Sequence, residues 1–266
     1  PFGMIVIGGY GPNVYTGDFA LIIDLGGDDR YLCRTGSGVG IIGHPESAVI
    51  DLSGNDAYLS PLMAGQACGV MGFGAIVDES GNDVYRGGSF GQGAGFCGGG
   101  FLFDRRGDDI YQAGIFAQGA AVCGVALLAD ESGRDLYDAY HSCQGFSGTF
   151  AAAALVDSKG NDVYRAGGFV THAPLRPEDY QSFAQGFSIG SRPRAGGGFA
   201  LLRDREGNDF YDAEIYAQGV GYWYSLGMLL DEAGNDVYNA TQYAQAAGIH
   251  LAAGVLEDLS GDDRYG

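Results

Sequence analysis

Apolar and polar positions recur along this chain with a period of 26 or 27 residues. Each period contains an eight-residue motif, Asp-x-x-Gly-(Asn/Asp)-Asp-x-Tyr, with an aliphatic residue two positions before the first aspartate. The motif occurs nine times, with arginine at the fifth position in the copy that begins at Asp130. Successive copies are separated by 27, 27, 26, 26, 27, 47, 27 and 27 residues. Such regular self-similarity is typical of a repeat architecture in which each period is one structural unit.

The length of the period and its glycines decide which unit is expected. A leucine-rich repeat has a suitable length, but its leucine frame is missing, and propeller blades need about 40–50 residues. Helical repeats do not tolerate the three consecutive glycines at 98–100, because each glycine inside a helix costs roughly 1 kcal/mol relative to alanine. Short strands separated by glycine corners remain. The sequence therefore predicts an all-β fold, a parallel β-solenoid (β-helix) of about nine coils of 26–27 residues, with neighbouring coils about 4.8 Å apart.

We expect residues 1–266 to form a single β-solenoid domain in which equivalent residues stack in rows. Every motif ends in a tyrosine, and most periods have a glutamine about fourteen residues after the first aspartate. Gln185 belongs to the same row but is displaced by the extra residues of its period. The tyrosines are Tyr31, Tyr58, Tyr85, Tyr111, Tyr137, Tyr164, Tyr211, Tyr238 and Tyr265, and the glutamines are Gln66, Gln92, Gln118, Gln144, Gln185, Gln218 and Gln245. We expect the tyrosines to stack in the core or at an edge, with a sugar-binding platform as the alternative. We expect the glutamines to form an amide ladder inside the fold or along a corner, with a polymer-binding row as the alternative.

Two aspartates recur in every motif, at its first and sixth positions. The first-row aspartates are Asp24, Asp51, Asp78, Asp104, Asp130, Asp157, Asp204, Asp231 and Asp258, and the second-row aspartates are Asp29, Asp56, Asp83, Asp109, Asp135, Asp162, Asp209, Asp236 and Asp263. Stacking places like charges about 5 Å apart, where neighbours repel by on the order of 1–3 kcal/mol at an intermediate effective dielectric constant. The arginines near the motif do not recur in every coil. The sequence therefore predicts cations along one acidic edge, with these 18 aspartates as the metal ligands.

Calcium is the cation that this donor set favours. It accepts six to eight oxygen ligands in a flexible geometry, whereas magnesium needs a stricter octahedron. The motif offers neither cysteine nor histidine, which argues against zinc and copper. Its invariant glycine suits a turn with positive φ that aims carbonyl groups at an ion. Two alternatives stay open: Asp and Asn can form turns without a metal, or other counter-ions can neutralise the rows.

The segment Gly81 to Gly88, Gly-Asn-Asp-Val-Tyr-Arg-Gly-Gly, resembles the Gly-x-Gly-x-Asp-x-aliphatic-x nonapeptide of RTX calcium β-rolls. In that family the aspartate and turn carbonyls hold Ca²⁺, and the later apolar residue points inward. The resemblance covers Gly81, Asp83 and Tyr85 with their equivalents in the other coils, and it implies several calcium ions per chain. The chain departs from the RTX pattern in its 27-residue period, its additional first-row aspartate and its tyrosine in place of the aliphatic residue.

Composition excludes several function classes. The chain carries 33 Asp+Glu against 14 Lys+Arg, a net charge of −19, whereas a nucleic-acid partner requires a basic face. There is no apolar run of 18 or more residues, so no membrane-spanning helix is expected. The 46% hydrophobic and 12% aromatic residues rule out a disordered acidic tail.

The five cysteines are too few and too irregularly spaced for a disulfide framework. Cys97 and Cys123 occupy equivalent positions in consecutive coils. We expect them to stack as small buried thiols, with a disulfide between them as the alternative.

The repeat is interrupted at about 167–196, where one period is about 20 residues longer than the others. A long insertion favours a functional or partner-contacting role. It contains His172, Glu178 and Asp179, which are weak candidates for acid–base catalysis because no nucleophile–base pair accompanies them. Packing, capping or partner contact is the alternative role.

Together these observations predict a calcium-stabilised, extracellular, periplasmic or cell-surface module with a structural, adhesion or surface-assembly role. One alternative is a polysaccharide-active enzyme on a β-helix scaffold, with its site near the insertion and a glycan as its partner. Another is a filament subunit that stacks end to end. Because the chain starts 23 residues before the first motif and stops eight residues after the last first-row aspartate, we expect self-association or a longer parent chain at the solenoid ends.

Overall fold

Short parallel strands stack into a solenoid from Ile5 to Tyr265. The structure, a computed structural model, describes residues 3–266, so the first two residues of the expected 1–266 domain lie outside the described part. Two ten-stranded parallel sheets form two of its faces. The first sheet contains Ile5–Ile7, Leu21–Asp24, Glu46–Asp51, Phe73–Asp78, Gly99–Asp104, Val125–Asp130, Ala152–Val156, Phe199–Asp204, Leu226–Asp231 and Ala253–Asp258. The second contains Val14–Tyr15, Arg30–Tyr31, Ala57–Ser60, Val84–Gly87, Ile110–Gln112, Leu136–Ala139, Val163–Ala166, Phe210–Asp212, Val237–Asn239 and Arg264–Tyr265.

A third face is built from two-residue strands. They form a four-stranded sheet of Gly38–Val39, Gly69–Val70, Gly95–Phe96 and Ala121–Val122, and a three-stranded sheet of Ser188–Ile189, Gly221–Tyr222 and Gly248–Ile249. Single bridges through Ser147 connect the two sheets. The strands Ile115–Ala117 and His141–Cys143 form a further parallel pair between the second and third faces. The prediction of an all-β parallel solenoid of about nine coils is confirmed, and within residues 3–266 no helix is long and apolar enough to cross a membrane.

A short rung that the motif search did not find precedes the first motif. Ile5–Ile7 pairs with Leu21–Asp24, and Val14–Tyr15 pairs with Arg30–Tyr31. The register places Gly8 and Asn13 where later coils have the first-row and second-row aspartates. The acidic rows therefore begin one rung after the sheets do.

The core lies between the first two sheets because their inward positions repeat in every coil. In Phe73–Asp78 exposed and buried residues alternate, so that Ile76 and Asp78 both point inward. The aliphatic row faces the tyrosine row. Consecutive tyrosine rings stack with centroids 4.4–4.8 Å apart, and the stack begins at Tyr15. The prediction of stacked core tyrosines is confirmed, and their spacing measures the rise per coil.

The glutamines lie at a sharp corner before the third face. Gln118 and Gly119 both have left-handed backbone conformations, with φ of +55° and +72°. The side-chain Nε2 of Gln118 donates hydrogen bonds to the carbonyl oxygens of Tyr111 (2.9 Å) and Asp138 (3.4 Å), which belong to two consecutive coils. This side chain is fully buried. The glutamines therefore join coils from inside the fold, as predicted, but they bond to backbone carbonyls rather than mainly to one another.

The insertion forms a hairpin rather than an irregular loop. Val170–His172 pairs antiparallel with Arg176–Ala184, and the latter strand pairs parallel with Ile215–Ala217 of the next coil. The remaining extra residues form a tight turn closed by a Ser191–Ala195 bridge. The hairpin thus extends one side of the solenoid without breaking the two long sheets.

Candidate metal centre

The two rows of aspartates stack in register inside the fold. Asp78, Asp104 and Asp130, for example, are direct Cα partners on consecutive strands of the first sheet. All 18 aspartates except Asp258 and Asp263 of the last coil are buried. The predicted stacking is confirmed, but all the carboxylates except those of the last coil are buried inside the fold rather than placed along an exposed edge. We call these 18 side chains the acidic channel.

Each first-row carboxylate is held by the tyrosine of the preceding coil. The hydroxyl of Tyr85 donates to Oδ2 of Asp104 (2.7 Å), and that of Tyr111 donates to Oδ2 of Asp130 (2.6 Å). The other oxygen, Oδ1 of Asp104, accepts the backbone N–H of Arg106 at 3.2 Å. The tyrosine ladder therefore orients the acidic channel as well as filling the core. Sequence reasoning missed this role, although the fixed distance from aspartate to tyrosine in every motif was its visible signal.

Eight of the nine second-row carboxylates have one oxygen bound and the other buried without a partner. Oδ1 of Asp109 accepts the backbone N–H of Asp83 at 2.5 Å, and the same bond recurs from coil to coil. Its Oδ2 is buried and has no hydrogen-bond partner among the described residues. The same is true of Asp29, Asp56, Asp83, Asp135, Asp162, Asp209 and Asp236. A buried carboxylate oxygen without a partner is costly, so this repeated feature requires a positive group or a proton.

First-row and second-row aspartates converge into eight clusters of three carboxylates, and each of the five clusters named here joins two consecutive coils. One cluster comprises Asp104, Asp109 and Asp130; four more are Asp24–Asp29–Asp51, Asp51–Asp56–Asp78, Asp78–Asp83–Asp104 and Asp130–Asp135–Asp157, and three others follow. In each, the ligand oxygens lie within 4.8 Å of one another. Calcium–oxygen bonds of about 2.3–2.6 Å let one central ion reach all three carboxylates.

Burial raises the pKa of most carboxylates of the acidic channel above the ordinary value. Burial, followed by the like charges of its neighbours, raises the pKa of Asp109 from 3.8 to about 8. Burial raises the pKa of Asp56 to about 8 as well, and that of Asp104 to about 6. Within residues 3–266 no arginine, lysine or histidine forms an ion pair with any of the 18 aspartates. Bound protons or bound cations must therefore neutralise the channel.

The motif glycines are needed mainly because the turns of consecutive coils stack closely. The expectation that all of these glycines have a positive φ is wrong. Among the nine, only Gly27, Gly54 and Gly261 have φ between +20° and +160°. At Gly107 a Cβ atom would lie 1.6 Å from the carbonyl oxygen of Gly81 in the preceding coil. No side chain fits there, because the turns lie directly on top of one another.

The fifth motif position forms a separate, exposed ladder. The backbone N–H of Asn82 donates to Oδ1 of Asn55, and that of Asp108 donates to Oδ1 of Asn82, both at 2.9 Å. The alternative interpretation of the motif is that Asp and Asn form turns without a metal, and this outer row fits that interpretation. It does not satisfy the buried second-row oxygens.

The three catalytic candidates lie on the hairpin, away from the acidic channel. His172 is buried, and its Nδ1 lies 2.9 Å from Nε2 of Gln181. Asp179 and Glu178 both pair with Arg176. Among the described residues, no hydrogen bond joins His172 to either carboxylate. The structure therefore does not bring the three together as an acid–base group.

A second feature, which we call the lateral groove, follows the end of the second sheet. Three cavities of about 480, 380 and 300 Å³ adjoin one another, since the first two share Arg86 and the last two share Asp138 and Tyr140. Five polar side chains stand in register along it, namely Arg86, Gln112, Asp138, Arg165 and Asp212. On one side, Tyr140 stacks on Phe169 with ring centroids 5.6 Å apart.

The expectation of buried thiols at Cys97 and Cys123 is wrong, because both cysteines are exposed. They lie just after two strands of the third face, where the chain turns outward and not into the core. Both are free thiols, so the alternative disulfide is not formed.

No family model, no curated protein and no solved structure matches this chain.

Proposed function

We propose that the protein is a calcium-stabilised β-solenoid that serves as a rigid structural, adhesion or surface-assembly module outside the cell or in the periplasm. The single observation that carries this proposal is the row of eight buried second-row Oδ2 atoms without a protein partner. Each belongs to a cluster of three carboxylates whose oxygens are spaced to surround one ion.

Charge and donor type support calcium over other cations. Each coil contributes one first-row and one second-row carboxylate, so one divalent ion per coil balances their charge. The donors are oxygen atoms only, which suits calcium and magnesium rather than zinc or copper. The carboxylates come from a backbone whose coil spacing fixes their positions, and calcium accepts such imposed geometry more readily than magnesium.

The proposed extracellular or periplasmic location fits the affinity expected of such calcium sites. Calcium sites of extracellular modules have dissociation constants of about 10⁻⁴–10⁻³ M, so calcium there keeps such a rod folded. Ions held between coils stabilise every coil-to-coil interface, and interfaces with neighbours determine the stability of a solenoid. A rod of this kind provides length and stiffness rather than a reaction.

The test is metal analysis of the purified chain together with thermal unfolding in calcium and in EDTA. We expect about eight calcium ions per chain, following the eight clusters. A single site at 100 times its dissociation constant contributes about 2.7 kcal/mol, so several sites raise the melting temperature by well over 10 °C. Magnesium at equal concentration serves as the control and should restore much less. A melting temperature that is the same in calcium and EDTA would remove calcium from the proposal.

The lateral groove supports a second candidate function, the binding of a linear polysaccharide. The backbone groups of the second sheet are occupied by its own ladder, so a ligand there meets side chains and cannot add as a strand. Repeated polar side chains beside an exposed aromatic pair suit a chain of hydroxylated rings. Affinity electrophoresis in acidic and neutral polysaccharides tests this. Tyr140→Ala should abolish retardation, whereas Tyr224→Ala, at an exposed tyrosine outside the groove, should not; equal retardation of both variants would contradict groove binding.

A further inference from the structure

Three sulfur-bearing residues stand in one row on the outside of the third face. The strands Gly69–Val70, Gly95–Phe96 and Ala121–Val122 pair in register. The residues that directly follow them are Met71, Cys97 and Cys123. The backbone N–H of Met71 donates to the carbonyl of Phe96 at 3.0 Å, and that of Cys97 donates to the carbonyl of Val122 at 2.9 Å. The ladder therefore fixes these three positions on consecutive coils.

The three side chains leave the backbone in the same direction. Met71, Cys97 and Cys123 have φ values of +48°, +46° and +52°. Because equal left-handed conformations on parallel coils orient Cβ alike, the three side chains project side by side. All three are exposed, whereas the other cysteines, Cys33, Cys68 and Cys143, are buried. The thiol of Cys123 raises the pKa of Cys97, so the two sulfur atoms lie within interaction range.

The spacing of the row disfavours a disulfide and suits a bridging ion. Consecutive coils are 4.8 Å apart, as the tyrosine stack measures. Parallel side chains keep their Cβ atoms near that separation, whereas a disulfide needs about 3.5–4.5 Å between them. A thiolate–metal bond of about 2.3 Å, the length found for zinc, lets one ion bridge sulfur atoms up to about 4.6 Å apart. The row therefore holds two thiols at the distance of metal ligands.

The spacing of the row limits one ion to two sulfur donors. Met71 lies two coils from Cys123, twice the 4.8 Å rise, so an ion held by both thiols does not reach its thioether. Gly40 precedes Met71 in the ladder and Phe150 follows Cys123, and neither residue carries a side-chain donor. Two adjacent thiolates form a soft, two-coordinate donor set, whereas structural zinc takes four ligands. Soft thiolate ligands favour Cu(I) over the harder divalent ions.

We propose that Cys97 and Cys123 form a surface site for one Cu(I) ion, separate from the acidic channel. Binding replaces two S–H protons, so that Cu⁺ and two thiols give a bis-thiolate copper complex and two protons, with no change of oxidation state. The site uses sulfur ligands only, so the two metal sites of the chain do not compete for the same ion.

The test is anaerobic titration of the reduced, calcium-loaded chain with Cu(I) against a colorimetric chelator. We expect one Cu(I) per chain, and protection of two thiols from maleimide labelling as the ion binds. Cys97→Ser and Cys123→Ser, singly or together, should abolish binding with an unchanged melting temperature. The matched control is Met71→Leu, at the exposed next position of the row, which should leave Cu(I) affinity unchanged.

Two results would overturn the proposal. One is Cu(I) binding that survives the double serine variant, since the ion would then be held elsewhere. The other is rapid formation of a Cys97–Cys123 disulfide with glutathione disulfide in the absence of metal, detected by peptide mass spectrometry. That reaction would transfer both thiol protons and two electrons to glutathione, and it would mean that the spacing does not keep the thiols apart.

Discussion

Neighbouring aspartates of one motif have opposite environments. Asp108 is exposed, whereas the next residue, Asp109, is 1% exposed and belongs to a carboxylate cluster. The turn before the strand Ile110–Gln112 separates the two residues, because Asp108 belongs to the exposed ladder and Asp109 to the buried row. The count of acidic residues alone cannot separate these roles. The stacking of equivalent positions, which the period reveals, can.

Replacing Asp109 by asparagine separates metal binding from turn chemistry. The amide oxygen keeps the acceptor for the N–H of Asp83, but the negative charge is lost. In calcium we expect one fewer bound ion and a melting temperature lower by several degrees, because Asp109 belongs to one cluster. In EDTA we expect an unchanged or higher melting temperature, since a buried acid has been removed. Calcium analysis and paired melting curves measure both effects.

Asp108→Asn is the matched control for this variant. It introduces the residue that Asn55 and Asn82 already provide at that motif position, and it removes an equal charge. It should change neither the calcium count nor the difference between the two melting curves. If the two variants behave identically, the effect of Asp109→Asn comes from the loss of a charge in general and not from its position in the acidic channel.

The tyrosine hydroxyls give a second test at this scale. Tyr137→Phe keeps the ring stack but removes the 2.7 Å hydrogen bond to Asp157. A hydrogen bond to a charged group contributes about 1.5–3 kcal/mol, so we expect a loss of that size in urea unfolding with calcium present. Tyr140→Phe, at an exposed tyrosine, should cost almost nothing. If the two substitutions cost the same, the hydroxyl row does not support the carboxylates.

At the scale of elements, the turn between the first two sheets depends on the absence of a side chain. Most of the motif glycines stack so closely that a Cβ atom would collide with the carbonyl of the motif glycine before it. Glycine occupies this position in every motif. The sequence alone does not show whether the turn needs a positive φ or has no room for a side chain. The same limit applies to the corner glutamines, whose left-handed conformation is unusual for a residue with a side chain.

Gly107→Ala tests the requirement for space. Its Cβ would lie 1.6 Å from a backbone oxygen that cannot move independently, so we expect destabilisation by about 3 kcal/mol. Gly91→Ala is the control, because its nearest contact is 3.7 Å and its bridge partner in the next coil is already Ala117. Chemical denaturation compares the two. Equal stability of both variants would contradict close packing at the turn.

The sequence predicted the elements that repeat and missed those that do not. Rows of aliphatic, aspartate and tyrosine residues defined the strands of two faces, because stacking requires the same side chain at the same place. The hairpin Val170–His172 with Arg176–Ala184 occurs once, so no row marked it. The rung at Ile5–Ile7 lacks the motif, and only its pairing with the next strand identifies it. Cys97 is exposed because of the direction in which the chain turns after Gly95–Phe96. The spacing of the repeat along the sequence does not determine that direction.

At the scale of the whole molecule, the acidic channel couples every coil to the next. First-row residues such as Asp130 belong to two clusters, one on each side, so an ion in one gap affects the carboxylates of the adjacent gap. The shared aspartates thereby couple neighbouring coil-to-coil interfaces, which would otherwise contribute independently to stability. We infer that ion binding and folding are one cooperative process along the rod.

The pH dependence of stability should reverse its sign when calcium is added. Without metal, burial raises the pKa of Asp78 and Asp162 from 3.8 to about 8. The folded chain then holds protons that the unfolded chain releases, so its stability is greatest below about pH 4 and falls as the pH rises to about 8. With saturating calcium the ionised carboxylates bind the ion, protons compete with it, and stability rises over the same interval. Melting curves at half-unit pH steps, in EDTA and in calcium at constant ionic strength, measure both slopes. Parallel slopes in the two series would mean that protons alone neutralise the channel, whereas opposite slopes require an ion among the buried carboxylates.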